Sequence, residues 1–242
     1  MPKLLLINPN TTQSMTDKMA SSVESVLAPD SQLIAETSAY GPPSIEGYYD
    51  EVFSVPPMLE KIQQHNGQVD GVIVGCFDDT GVDAARTISD APVIGICQAA
   101  CQYATILASS FTIVTTLSRS VAALHKRVLD YGYERHCNNI RASDIPVLAL
   151  EECDEDAMRR LHREFELAIE VDRSEAIILG CAGMVELQQQ LQDYYGVPVI
   201  EGVAAATMIM DGLARLPLST SRASAYAKPV EKVITSVNDI KA

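Results

Sequence analysis

A chain of 242 residues that is 47% apolar can bury a substantial core, which excludes a disordered polypeptide. Its formal charge of -14, with no cluster of Lys and Arg, excludes the basic stripe that phosphate recognition needs, so no nucleic-acid partner is expected. No apolar run nears the roughly 20 residues that span a bilayer, so no membrane partner is expected either.

The first residues, Met1 to Leu4, lead straight toward a strand, and six cysteines are too sparse for a disulfide scaffold; free thiols and a cytoplasmic location are expected. Tryptophan is absent and aromatics make up only 5%, so the core must be Val, Ile, Leu, Ala and Met, a composition that suits an α/β protein.

In chain order, Lys3-Leu4-Leu5-Leu6-Ile7 reads as a buried strand ended by the polar turn Asn8-Pro9-Asn10-Thr11-Thr12. Thr11 or Thr12 is placed to cap a helix with Met15, Met19, Val23 and Val26 on its inner face. Gly71 to Gly75 is a second buried strand that stops at Cys76-Phe77-Asp78-Asp79, and Pro92 to Ile96 is a third, after a short helix. The same order then returns. Phe111 to Val114 ends at Thr115-Thr116-Leu117-Ser118, Ala176 to Gly180 ends at Cys181-Ala182-Gly183, and Pro198-Val199-Ile200 follows. A helical stretch from Thr207 to Leu216 and a Ser, Thr and Pro-rich tail close the chain, with no counterpart in the repeat.

The offset is 105 residues from Cys76 to Cys181 and 106 from Pro92 to Pro198, so the two halves stay in register. Strands alternating with helices imply parallel sheets covered by helices. The expected fold is therefore α/β, with two similar lobes related by pseudo-twofold symmetry and the active site in the cleft between them. Residues 1–100 plus 207–242 are expected in the first lobe and 101–206 in the second. Ligands of such sheets bind beyond the carboxyl ends of the strands, where both cysteines and both polar turns fall.

That position gives Cys76 and Cys181 a chemistry. A thiol acts as a base only as thiolate, and a helix N-terminus can pull its pKa from about 8.5 toward 7 or below. Each cysteine follows a strand and precedes residues able to open a helix, so a lowered pKa is expected at both. Inverting a carbon acid needs a base on one face and an acid on the other, and two thiols of similar proton affinity supply the pair in either direction. Amides near Phe77, Asp78, Ala182 and Gly183, with the side chains of Asn10 and Thr116, are candidate donors to the developing oxyanion.

The bland alternatives are specific too. A single buried cysteine is ordinarily a small hydrophobe, and it is the matched places in a repeat that argue otherwise here. Cys97 and Cys101 would share a helix face, but no further ligand completes a metal site at recognised spacing, so no metal is expected. Cys137 and Cys153 carry no motif. The histidines 65, 125, 136 and 162 lie in polar segments away from the strand ends, which argues against a Cys-His hydrolase. Asn10, Thr115 and Thr116 are good helix caps in any case, and Asp78 and Asp79 suit a helix start. Tyr48 and Tyr49 read as loop residues, with Tyr48 a possible pocket wall, and the acidic run 151–156 as a solvated helix start.

Seven stretches carry a resemblance over nearly the whole chain: residues 7–11, 44–51, 76–79, 114–119, 142–148, 179–184 and 201–206. Jointly they are similar to the hydantoin and allantoin racemases of the aspartate/glutamate racemase superfamily. The resemblance places that family's catalytic cysteines on Cys76 and Cys181. It places substrate contacts on Asn10, Phe77, Asp78, Thr115, Thr116, Ala182 and Gly183.

The resemblance also implies no cofactor, a homo-oligomer, and a neutral five-membered ureide substrate, hydantoin or allantoin, with an acidic C5–H. The sequence departs from the pattern at Thr80, where many relatives carry Pro, and at Gln98, where many carry Glu. Free amino-acid racemases typically have Cys-Asn-Thr and Cys-Thr-His where this chain has Cys76-Phe77-Asp78 and Cys181-Ala182-Gly183. The expected activity is racemisation of 5-substituted hydantoins by two-cysteine proton transfer. Allantoin racemisation is the nearest alternative, and a one-cysteine decarboxylase or isomerase and a non-catalytic ureide binder are alternatives of another class.

Overall fold

The computed structural model describes residues 1–151 and 155–232; Cys153, part of the acidic run and the last ten residues lie outside them. The first half runs β1 (Lys3–Asn8), α1 (Gln13–Val26), β2 (Gln32–Thr37), α2 (Tyr48–His65), β3 (Gly71–Val74), α3 (Val82–Ile88), β4 (Val93–Gly95) and α4 (Ile96–Leu107). The second runs β5 (Phe111–Thr115), α5 (Val121–Asp130), β6 (Cys137–Ala142), α6 (Glu155–Glu170), β7 (Ala176–Leu179), α7 (Gln188–Tyr195), β8 (Val199–Ile200) and α8 (Gly202–Ala214).

Two four-stranded sheets result, ordered β2-β1-β3-β4 and β6-β5-β7-β8, and every pairing is parallel. Leu4 pairs with Gly71 and Ile7 with Val74, as Phe111 pairs with Ala176 and Val114 with Leu179. The duplicated α/β architecture is thus present strand for strand. The edge strands β2 and β6 were not among the strands read from the sequence. Both are partly exposed along their length, so they lack the continuous apolar run that marks the buried strands.

Strand alternation divides the core into three layers. Leu5, Ile7, Val72 and Val74 face outward onto Met58 and Ile62 of α2. Val114, Ile177 and Leu179 face outward onto Leu161 and Phe165 of α6. The opposite faces, Leu4, Leu6 and Ile73 in one sheet and Ile113 and Ile178 in the other, share one cluster with Ala100, Val203 and Ala206 of α4 and α8. Small residues on these two helices let them pack closely; a Cβ at Gly202 would stand 2.5 Å from the carbonyl oxygen of Ile96. Helix α4 packs on β7 and β8, whereas α8 returns to β1 and β3, so each half lends a helix to the join.

Beyond α8, the Arg222 guanidinium donates to the carbonyls of Arg86 and Thr87, and Thr220 Oγ1 donates to the carbonyl of Ala91. These bonds hold the start of the tail against the first half. On α1, Met15, Met19 and Val23 are buried as expected, and Val26 is half-buried. Thr12 occupies the N-cap position but does not cap with its side chain, because Oγ1 donates instead to the carbonyl of Pro43 at 2.7 Å. Tyr48 and Tyr49 open α2 rather than lying in a loop. No helix among the described residues is long and apolar enough to cross a membrane.

Candidate active site

Strands β3 and β7 are each followed by the same dipeptide, Gly75-Cys76 and Gly180-Cys181. The glycine amide continues the ladder to the central strand, Gly75 N–H to Ile7 at 2.9 Å and Gly180 N–H to Val114 at 2.8 Å. A Cβ at Gly180 would meet Ile113 Cγ2, Thr115 Cβ and the Val114 oxygen, each at 2.9 Å; one at Gly75 would meet Met19 Sδ at 2.7 Å. At Gly180, where the neighbours are backbone and β-branched atoms, only glycine lets the chain pass this closely, whereas at Gly75 the flexible Met19 side chain could yield.

Both cysteines line one narrow cavity of about 30 Å³ between the carboxyl ends of the two sheets. Asn10, Phe77, Asp78, Thr115, Thr116 and Ala182 line it with them, and Gly183 stands behind, its N–H directed at Cys181 Sγ at 3.4 Å. Tyr48 does not line it; its side chain is largely exposed at the start of α2. Met15, Ile45, Ser120 and Val147 do line it, and the sequence reading missed them as site residues. Ile45 and Val147 lie inside two of the stretches that carry the family resemblance, which was the available signal, and they follow the two edge strands that no continuous apolar run marks. None of the four histidines lines the cavity.

The amide two residues beyond Cys181, that of Gly183, hydrogen-bonds its sulfur, and the equivalent Asp78 amide acts on Cys76 in the same direction. The expected helix N-termini are only half realised. Cys181 caps a short 3-10 segment, Ala182–Leu187, but Cys76 enters a turn, and α3 begins only at Val82. The expected lowering of the thiol pKa values is reversed. Burial pushes the Cys181 thiol up to about 12 despite the Gly183 N–H, with Asp78 and Glu46 adding to the rise. Burial and then the Asp78 charge hold Cys76 well above its ordinary value, outweighing the Asp78 N–H. One short backbone bond does not repay the lost hydration of a thiolate.

Thiols raised in this way are neutral near pH 7, which gives a direct expectation. Alkylation of Cys181 by iodoacetamide, mapped by mass spectrometry, should accelerate about tenfold per pH unit from about pH 7 to 10 without levelling off, because only the thiolate reacts. A plateau below about pH 8.5, the ordinary thiol value, would contradict this account of the buried site.

Asp78 and Asp79 have separate tasks. Asp79 does complement a helix, but α4 rather than the helix that follows it: its carboxylate accepts from the N–H groups of Cys97 and Gln98, both at 2.9 Å, and from Tyr131 Oη at 2.8 Å. Burial lifts its pKa to about 6 against those bonds. Asp78 borders the cavity, and burial, followed by repulsion from Glu51 and Asp79, lifts its pKa to about 7, with Arg127 opposing. Arg127 Nε donates to the Asp78 carbonyl at 2.8 Å, so α5 of one half fastens the cysteine-bearing turn of the other.

The second half has no acidic counterpart beside Cys181, where Ala182, Gly183 and Met184 follow. Among the described residues no Lys, Arg or His lines the cavity. Gln98, at the other departure, accepts from Arg86 Nη2 at 2.7 Å, and the Thr80 hydroxyl is buried without a partner. Cys97 and Cys101 are fully buried in α4 within the central core.

The Asp/Glu/hydantoin racemase family model matches residues 4–210. The chain belongs to this family. It is 48% identical over 225 residues to a hydantoin racemase of Rhizobium meliloti, covering 93% of each chain. A hydantoin racemase of Pseudomonas sp. (strain NS671) is 38% identical over 231 residues, 95% of this chain and 93% of that one. Among solved structures, the allantoin racemase of Klebsiella pneumoniae superposes with a TM-score of 0.94 at 39% identity, over 98% of this chain and 97% of that one. Membership makes the protein an isomerase of the racemase type, with two parallel-sheet lobes as the family fold.

Proposed function

We propose that the protein interconverts the enantiomers of 5-substituted hydantoins by proton transfer at C5 between Cys76 and Cys181, without a cofactor. One observation carries the reading: both thiols, borne by equivalent turns of a duplicated fold, line the same cavity, and among the described residues no cationic side chain joins them. A free amino acid would bring its carboxylate against Asp78 with no cation to receive it. A ureide ring is neutral and brings only carbonyl and N–H groups.

In the reaction one thiolate takes the C5 proton while the thiol on the other face delivers its own, and the roles exchange in the reverse direction. A high thiol proton affinity helps here, because it narrows the gap between the base and a carbon acid, although it lowers the fraction of thiolate available. The transient enolate oxygen is held by the amides of the two cysteine turns and by Asn10 and Thr116. Asn10 is set for this: its Oδ1 accepts from Asn8 Nδ2 and the Thr12 N–H, both at 2.9 Å, leaving Nδ2 only a weak contact with Met15 Sδ at 3.5 Å. The relatives' names support hydantoin and allantoin alike as substrates. Polarimetry on single-enantiomer 5-methylhydantoin and on allantoin, run side by side, should show rotation decaying to zero for at least one; stable rotation for both would refute the reading.

We also assign the whole protein as a homo-oligomer with lobes 1–100 plus 207–242 and 101–206. Sedimentation of the purified chain tests the first of these.

A further inference from the structure

We propose that Ile45 and Val147 form the subsite that receives the C5 substituent and select a small aliphatic group over the ureido group of allantoin. This rests on the racemase reading above.

The two residues come from loops that follow the edge strands β2 and β6, one in each half, and they meet over the same cavity. A hydrogen bond joins the loops, from the Val147 N–H to Glu46 Oε1 at 3.2 Å, and the Ser44 hydroxyl donates to the same oxygen at 3.2 Å. Each loop is fixed from its own side. Thr12 Oγ1 donates to the Pro43 carbonyl, and the Glu46 N–H donates to Asp50 Oδ2 at 2.9 Å. In the other loop, the Ser118 N–H donates to Asp144 Oδ1 at 2.9 Å, and Arg160 Nη2 donates to the Asp144 carbonyl at 2.8 Å. Ile45 and Val147 are accordingly buried and held in place, 9% and 5% exposed.

They share the apolar part of the lining with Met15, Ala182 beside Cys181 and the ring of Phe77 beside Cys76, while Asn10, Asp78, Thr115, Thr116 and Ser120 make the polar part. C5 must sit between the sulfurs, and the carbonyl and N–H groups of the ring need the polar side. The substituent is then left to the aliphatic side. A ureido group there would bury an amide carbonyl and N–H groups against hydrocarbon, whereas an alkyl group loses nothing.

The test measures kcat/KM for 5-methyl-, 5-isobutyl- and 5-benzylhydantoin and for allantoin, on the intact protein and on I45A, V147A and V147T. The wild type should prefer the alkylhydantoins to allantoin. Both alanine variants should raise the benzyl-to-methyl ratio about 10-fold, the scale of a few methylenes in an apolar pocket. V147T, equal in size but polar, should raise the allantoin-to-isobutyl ratio by a similar factor. For Glu46, which acts through the loops, E46A should blunt the same ratios and E46Q, which keeps an acceptor, should restore them. Ratios within about twofold of wild type in all three wall variants, or a wild type that prefers allantoin, would overturn the subsite while leaving racemisation intact. A wild type that racemises none of the four would instead overturn the functional reading beneath it.

Discussion

Replacing either Cys76 or Cys181 by Ser is expected to slow racemisation by about 10²- to 10⁴-fold, the usual contribution of a placed acid or base. The surviving thiol still faces one side of C5. Each single variant should therefore exchange the C5 hydrogen of one enantiomer with solvent while optical rotation persists, and C76S/C181S should do neither. The alcohol keeps the shape but is a far weaker acid than a thiol, so neither role is retained. Proton NMR in D₂O and polarimetry on the same samples read both quantities. Equal losses of exchange for both enantiomers in each single variant would instead mean that the two sulfurs act as a unit on one face.

The second large effect is on stability. Gly95→Ala should cost about 3 kcal/mol, read from the urea midpoint, because a buried carboxylate is displaced and two helix-start amides, one of them buried, lose their acceptor. A Cβ at Gly95 would overlap the carboxylate of Asp79, which accepts from the Cys97 and Gln98 amides at the start of α4. Expelling that carboxylate takes the acceptor from the buried Cys97 N–H and from the half-buried Gln98 N–H and Tyr131 hydroxyl, and it moves the turn that carries Cys76. Gly212→Ala is the control. Nothing surrounds a Cβ there, and within α8 the change should stabilise by about 0.5–1 kcal/mol. A Gly95 variant as stable as the Gly212 variant would refute the role given to Asp79.

The buried strands and their polar ends were legible because hydrophobic burial writes itself as continuous runs such as Leu4 to Ile7 and Ala176 to Leu179, and duplication wrote each run twice. The edge strands were not. Gln32–Thr37 and Cys137–Ala142 owe their conformation to pairing with β1 and β5, a long-range effect with no local signature. The cavity walls at Ile45 and Val147 were missed for the same reason, since they follow those strands.

The thiol pKa values went the opposite way from expectation. A sequence shows where a helix could begin, but not how much water a folded pocket removes from a sulfur, and at Cys181 burial outweighs one amide. The sequence marks Asp79 as a helix-start acid without the identity of the helix, because the space Gly95 opens exists only when the turn after β3 meets the end of β4.

All of this depends on two sulfurs acting from opposite faces of a single carbon. The direct measurement is the isotopic content of both enantiomers early in the reaction of one protiated 5-methylhydantoin enantiomer in D₂O. The product should carry deuterium at C5 while the unreacted substrate remains protiated, because the proton leaves to one thiol and the deuteron arrives from the other. Deuterium entering the remaining substrate as fast as product forms, or product that keeps the original hydrogen, would contradict the account.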